Sequence, residues 1–196
     1  MAYFIEDHAF STGSATRKDP RGCPTSTVSA AAIGQMEEAL EGMLSYFGDP
    51  LAALDRAHEA DPGWSHALTI KAGLLLTIGE FAAAEQARTA LGMAGGLAGN
   101  AHEREKAHIA AARAPADGDW DRACELWEAI LVQWPRDVAA LLFAHIFDFY
   151  RGDALNLKRR PQRVLPRWSP DLPFYGYVLG MAAFGLEESG HYPEAE

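Results

Sequence analysis

A phrase repeated along the chain constrains its fold more than any other feature. A glycine, a polar residue and an aromatic are followed three positions on by alanine: Gly79-Glu80-Phe81 with Ala84, Gly118-Asp119-Trp120 with Ala123, and Gly190-His191-Tyr192 with Ala195. Weaker copies stand at Gly48-Asp49-Pro50 with Ala53 and at Gly152-Asp153-Ala154. From 48 to 79, 118, 152 and 190 the steps are 31, 39, 34 and 38 residues. A period of that size on helical text marks a stacked array of helix pairs. It fixes how the chain is built and what kind of surface it offers, but no reaction is written in it.

The physics of the phrase is local. Two antiparallel helices joined by a tight turn need a residue that tolerates positive φ, and glycine does. The aromatic is expected to close the apolar seam of the hairpin, and the alanine to mark the closest crossing of its helices. A bulky residue at Ala84 or Ala123 is then expected to cost about 1–3 kcal/mol of overpacking. Trp127, one turn after Ala123, is expected to fill the space between neighbouring hairpins.

Residues 1–28 read as a largely irregular arm, with turn chemistry at Ser11-Thr12-Gly13-Ser14 and Asp19-Pro20-Arg21-Gly22. From Ser29 the text becomes helical. Ile33, Met36, Leu40, Met43, Leu44 and Phe47 recur at three- and four-residue steps, the spacing of one buried stripe. Gly48-Asp49-Pro50 stops that helix and starts the next, which closes at Asp61-Pro62. A second pair covers 65–78 and 81–91, with the glycine-rich 92–99 expected as loop. Asn100, with Glu103 three residues on, is the expected cap of a third pair, which runs to 114 and then over 120–133. A fourth pair covers 137–150 and resumes from 154, where Pro161 is expected to kink or split the helix. A fifth first helix spans 174–189. The expected fold is all-α: a right-handed superhelix of antiparallel helix hairpins, an α-solenoid, over residues 29–196.

Charge and cysteine content narrow the function. A formal net charge of −10 and a pI near 5.1 argue against nucleic acid or an anionic membrane as partner. Cys23 and Cys124 form neither a zinc signature nor a disulfide framework and fit a reducing compartment, with Cys124 a small buried filler. No apolar run is long enough for secretion or a membrane span, so the cytosol is the expected address.

Gly118-Asp119-Trp120-Asp121-Arg122-Ala123, with Trp127 and then Pro135, resembles the second helix of a tetratricopeptide repeat with its closing proline. Gly79 to Ala84, preceded by Trp64, Ala67 and Ala72, resembles another. A narrower likeness rests on Asp19 to Ser29, Gly48 to Asp55, Glu105-Lys106-Ala107-His108, Leu126 to Leu131, and above all Tyr175 to Met181 with Phe184 to Glu188. These stretches resemble the tetratricopeptide repeat protein 38 family over about residues 19–196. The resemblance implies a tetratricopeptide-like α-solenoid and no particular activity, and members of that family are about twice as long. Pro115 and Pro161 depart from its pattern, where continuous helix is expected. The chain ends one turn into the helix that should follow Gly190, while the helix before it is apolar nearly all round. Solenoid ends normally carry a polar cap. The expectation is therefore a repeat domain incomplete at its C-terminus, covered by a further repeat segment or by a homodimer contact through the fifth first helix.

In such arrays the first helix of each pair lines a concave groove. Counting back 13, 10, 6 and 3 residues from Gly79, Gly118, Gly152 and Gly190 gives a face that passes from mildly polar to apolar and aromatic. The candidate groove residues are His66, Thr69, His108, Leu142, His145, Ile146, Phe149, Tyr177 and Phe184. His66 and His108 are expected to meet across adjacent helices with Glu105 a turn away, as half-buried polar residues or as a metal or acid–base pair. His145, with Asp148 at i+3, reads as a buried hydrogen-bonded anchor or part of a site. The groove positions hold no lysine, arginine or asparagine, so a clamp for an acidic chaperone C-terminus is excluded. His102-Glu103 begins a zinc-protease signature that fails at Lys106. Lys158-Arg159-Arg160, with Arg163 and Arg167, reads as a solvated outer face.

No catalytic residue, metal or cofactor is assigned. Two readings stand: a scaffolding module that holds a protein or peptide partner, or its own C-terminal half, in an apolar groove; and the N-terminal part of an enzyme or small-ligand protein whose site is completed beyond residue 196.

Overall fold

Glycine is favoured at a helix–helix turn where the backbone turns left-handed, and the repeated glycines sit at such points. In the computed structural model, which describes residues 17–196, φ is 90° at Gly48, 76° at Gly79, 84° at Gly118, 69° at Gly152 and 75° at Gly190. Among the described residues these turns separate ten helices packed in sequential pairs. The pairs are α1 (Ala30–Ser45) with α2 (Pro50–Ala60), α3 (Ser65–Thr77) with α4 (Phe81–Leu97), α5 (Glu103–Ala116) with α6 (Trp120–Gln133), α7 (Val138–Tyr150) with α8 (Ala154–Val164), and α9 (Tyr175–Glu188) with α10 (Tyr192–Ala195). No described helix is long and apolar enough to cross a membrane.

The acidic residue of the repeated phrase has a role that its spacing does not reveal. Asp49, Asp119 and Asp153 cap α2, α6 and α8, each accepting the backbone N–H three residues on at 3.0 Å. A carboxylate there also meets the positive end of the helix dipole. The aromatic does not close the seam as expected: Phe81 is 81% exposed, and Trp120 lies half outside, edge-on to Phe147. The alanines are buried, Ala53 and Ala123 in phase with the phrase and Ala83 one position before the expected Ala84.

Three local expectations are corrected. Residues 92–97 are not loop, because α4 runs through Gly92, Gly95 and Gly96 to Leu97. Its stripe of Ala83, Ala87, Ala90, Leu91 and Ala94 is buried at helical spacing and outweighs a glycine cost of roughly 1 kcal/mol each. The cap of α5 is His102 rather than Asn100: His102 Nδ1 accepts from Arg104 N, and Glu105 Oε2 accepts from His102 N, both at 3.1 Å. Pro161 is buried inside an unbroken α8, which ends only in the 3-10 turn Leu165–Arg167.

Trp127, fully buried, packs on Phe143 and Phe147 of α7 with ring centroids 5.5 and 5.4 Å away, filling the space between hairpins. Gly73 lets α3 approach α7 directly, since a Cβ there would stand 2.6 Å from Phe143 Cζ. At the other side Tyr177 Oη donates to Glu41 Oε1 at 2.8 Å, tying α9 to α1. Before α1, β1 (Arg17–Lys18) pairs antiparallel with β2 (Pro24–Thr25) around a turn held by Asp19 Oδ1, which accepts from Arg21 N and Cys23 N. The rest of the expected arm, including Ser11 to Ser14, lies outside the described residues.

Candidate functional site

Two regions gather polar or accessible side chains, and they differ in kind. The first lies where residues 19–29 fold over α3, α5 and α7. Asp137, the N-cap of α7, accepts from Arg104 at 2.7 Å and from Ala140 N at 3.0 Å, and its Oδ2 lies 2.9 Å from His108 Nε2. Arg104 also donates through Nε to the Pro24 carbonyl. Glu105 accepts from Trp64 Nε1 at 2.8 Å, Thr25 Oγ1 at 3.0 Å, Ser26 N and Ser26 Oγ. Arg21 forks onto Glu37 at 2.5 and 2.8 Å, and Thr27 Oγ1 donates to Asp61.

Electrostatics follow from this packing. Burial opposes ionisation of Asp137, yet His108 and Arg104 hold its carboxyl well below the usual range. Burial likewise opposes Glu105, and the His66 ring with the bonds from Ser26 and Trp64 brings it down to about 2. His66 is 3% exposed; burial, then Arg104 and His108, push its pKa well below 6.5. Burial raises both Cys23 and Cys124 to about 12, leaving them as inert thiols, and Cys124 is the expected filler. His66 and His108 do meet, edge to face at 4.9 Å between ring centroids. Both are buried beneath the N-terminal segment, and no group of three His, Cys, Asp or Glu among the described residues is placed to hold a metal. This region is a buried network of hydrogen bonds and ion pairs.

The second region is a cavity of about 890 Å³ between α1, α3, α7 and α9. α1 and α3 contribute their last turns, among them Met43, Leu74 and Thr77, α7 contributes one face from Leu142 through Ile146 to Phe149, and α9 contributes Gly176, Tyr177, Gly180, Met181 and Phe184. At its mouth Tyr46 and Phe47 stand 87% and 83% exposed. Tyr46 is held at φ 56°, a left-handed conformation that costs a side-chain-bearing residue about 1–2 kcal/mol. His145 forms part of the wall, is 8% exposed, and packs edge-on to Phe184. Its Nδ1 is buried and has no hydrogen-bond partner among the described residues. Burial lowers its pKa to about 4, so the ring is neutral at pH 7.

The groove expectation divides cleanly. Leu142, His145, Ile146, Phe149, Tyr177 and Phe184 line this cavity together. His66, Thr69 and His108 do not: the first and last belong to the buried network, and Thr69 turns its hydroxyl to the Ser65 carbonyl. His145 makes no anchor with Asp148, which takes a two-pronged bond from Arg160 at 2.8 and 3.1 Å and another from Arg151. Arg160 is therefore buried and paired, a correction to the solvated basic face. Counting missed the wall residues on α1, because it begins at Gly79; it missed Thr77, Ile78 and Tyr150, nearer the turns than the counted positions, and Leu74, Phe143, Gly176 and Met181, which neighbour them. The adjacent pair Tyr46-Phe47 just before a helix stop was the available signal, since two neighbouring aromatics at a helix end cannot both face one stripe.

No protein-family model matches this chain, and no solved structure matches it significantly.

Proposed function

We propose that this chain is a tetratricopeptide-like helical-repeat module that holds the apolar face of a partner helix in the cavity between α1, α3, α7 and α9. The cavity carries this reading. Its wall is mainly aromatic and aliphatic, its mouth exposes Tyr46, Phe47, Phe149 and Tyr150, and its volume is about 890 Å³. Two turns of helix with small side chains, a cylinder about 10 Å across, occupy roughly 850 Å³, which is comparable. Apolar walls with a few placed polar groups are the usual make-up of a ligand site, and helix-in-groove binding uses such walls. The histidine pair supports an enzyme reading less well, because His66 and His108 are buried beneath residues 19–29.

Nile red, an uncharged dye that brightens in apolar surroundings, tests the cavity directly. Saturable binding at one dye per chain, abolished by Gly180→Leu, is the expected result. Gly180 lines the cavity with nothing within 4 Å of its would-be Cβ, so the leucine fills the space without disturbing the wall. Binding that Gly180→Leu leaves unchanged places the dye elsewhere and overturns the reading.

A further inference from the structure

We infer that the helix held in the cavity is the end of α1 from a second copy of this chain, each copy inserting Tyr46 and Phe47 into the other; this rests on the helix-binding reading above. Area, charge and backbone strain at the mouth of the cavity agree on it.

Area comes first. Tyr46, Phe47, Ile78, Phe149 and Tyr150 are exposed and all line the cavity, and Trp120 joins them with its ring 6.2 Å from that of Tyr150. Tyr150 Oη donates to the Thr77 carbonyl, which draws the ends of α3 and α7 together. The ends of α1, α3 and α7 and the start of α6 therefore carry one apolar face. At about 200 Å² for a whole large side chain, the exposed fractions of these six amount to roughly 700 Å², before the cavity wall behind them is counted. The largest apolar patch on a monomer is about 300–600 Å², and a stable interface buries about 800 Å² on each partner. A second copy brings a face of that same size.

Charge decides what can enter. No lysine, arginine, aspartate or glutamate lines the cavity. An ionic group leaving water there would find no opposite charge, so the group that enters is uncharged. Tyr46 and Phe47 are such a group: two adjacent aromatics at the end of α1, standing almost wholly in water. They also stand beside the cavity that takes them. A two-fold contact requires this, because the same surface must offer both the insert and its receptor.

Backbone strain marks the same point. Tyr46 is the C-cap of α1 at φ 56°, in the left-handed conformation that helix ends usually give to glycine. Its ring gains little packing in return within the single chain, since it is the most exposed large apolar side chain described. Strain of this kind gathers where a surface is used.

The test is sedimentation equilibrium of the full chain from about 1 to about 200 μM, with a monomer–dimer equilibrium expected. Phe47→Ser removes one exposed ring and Gly180→Leu fills the cavity, and each should weaken the dimer at least about tenfold. Tyr46→Gly should weaken it as much without lowering the melting temperature of the dilute monomer, so that lost association is not lost folding. On its outer side Phe47 lies with Glu41 and Asp49, so two copies of a chain of net charge −10 bring carboxylates towards one another. Salt should therefore tighten the dimer by screening them. Nile red brightness per chain should fall as the concentration passes through the dimer range, because the inserted rings displace the dye. A chain that stays monomeric, a dimer indifferent to Phe47→Ser or to Gly180→Leu, or one that salt loosens overturns this inference and leaves the helix-binding reading standing. Dye binding by the dilute monomer that Gly180→Leu leaves unchanged overturns that reading instead.

Discussion

His145 puts an imidazole into a wall that is otherwise mostly aromatic and aliphatic, and its titration is a property of that position. Burial lowers its pKa from 6.5 to about 4, with Asp148 pulling it upward and Arg160 downward. Between those two values the unfolded chain binds a proton that the folded chain does not, so stability falls as the pH drops through this window. The ceiling on that loss is about 3 kcal/mol for this one ring. His145→Phe is expected to flatten the stability–pH curve between pH 6.5 and 4 in urea titrations, without loss of stability at pH 7 because a buried nitrogen with no partner among the described residues goes with it. The curve keeps part of its slope, since His66 is depressed in the same direction. An unchanged slope in the variant refutes the assignment. The count back from Gly152 passes over His145, which stands out in the sequence as a histidine where a small residue is usual, with Asp148 at i+3. Spacing could not choose its partner. Asp148 is three residues away on the same helix, but Arg160 on the next helix takes both its oxygens, and only packing reveals that.

At the scale of elements, α9 carries two kinds of glycine, and the same substitution should act on them with opposite signs. A Cβ at Gly185 would fall 2.6 Å from Lys158 Cα and also against the Leu157 carbonyl, which are backbone atoms of α8 that cannot swing aside. Gly185→Ala is therefore expected to destabilise the fold by about 3 kcal/mol through overpacking. Gly180→Ala meets nothing and should stabilise it by up to about 1 kcal/mol through helix propensity and a less flexible unfolded chain. Thermal or urea melts of the two variants decide the matter, and equal shifts would show that α8 and α9 do not cross at Gly185. The helices themselves were largely legible because turn glycines, aspartate caps and apolar stripes all reinforce one another. Legibility failed where local and tertiary signals disagree. Gly92 to Gly96 read as loop and are held helical by the buried alanine stripe of α4, while Pro161 reads as a break and sits inside α8.

Over the whole molecule, charge and apolar surface are kept at separate places: a buried ionic network under residues 19–29, and an open cavity walled by α1, α3, α7 and α9. Arg104 is the hub of the first, since it bonds the Pro24 carbonyl of the N-terminal segment and the Asp137 carboxylate that starts α7. Both members of the pair are almost fully buried, so removing one strands the other's charge. Arg104→Met should cost about 3–5 kcal/mol, and adding Asp137→Leu should return part of that loss, because an uncompensated buried charge is worse than no charge. Part of the cost remains, as Asp137 also caps α7 and holds His108. Hydrogen exchange should show the N-terminal segment and the start of α7 losing protection first. At a temperature where the variant is still folded, Nile red binding should stay as in the unaltered chain, because Arg104 lines no part of the cavity. Loss of dye binding in folded Arg104→Met would mean that the network shapes the cavity, and that the two regions act as one.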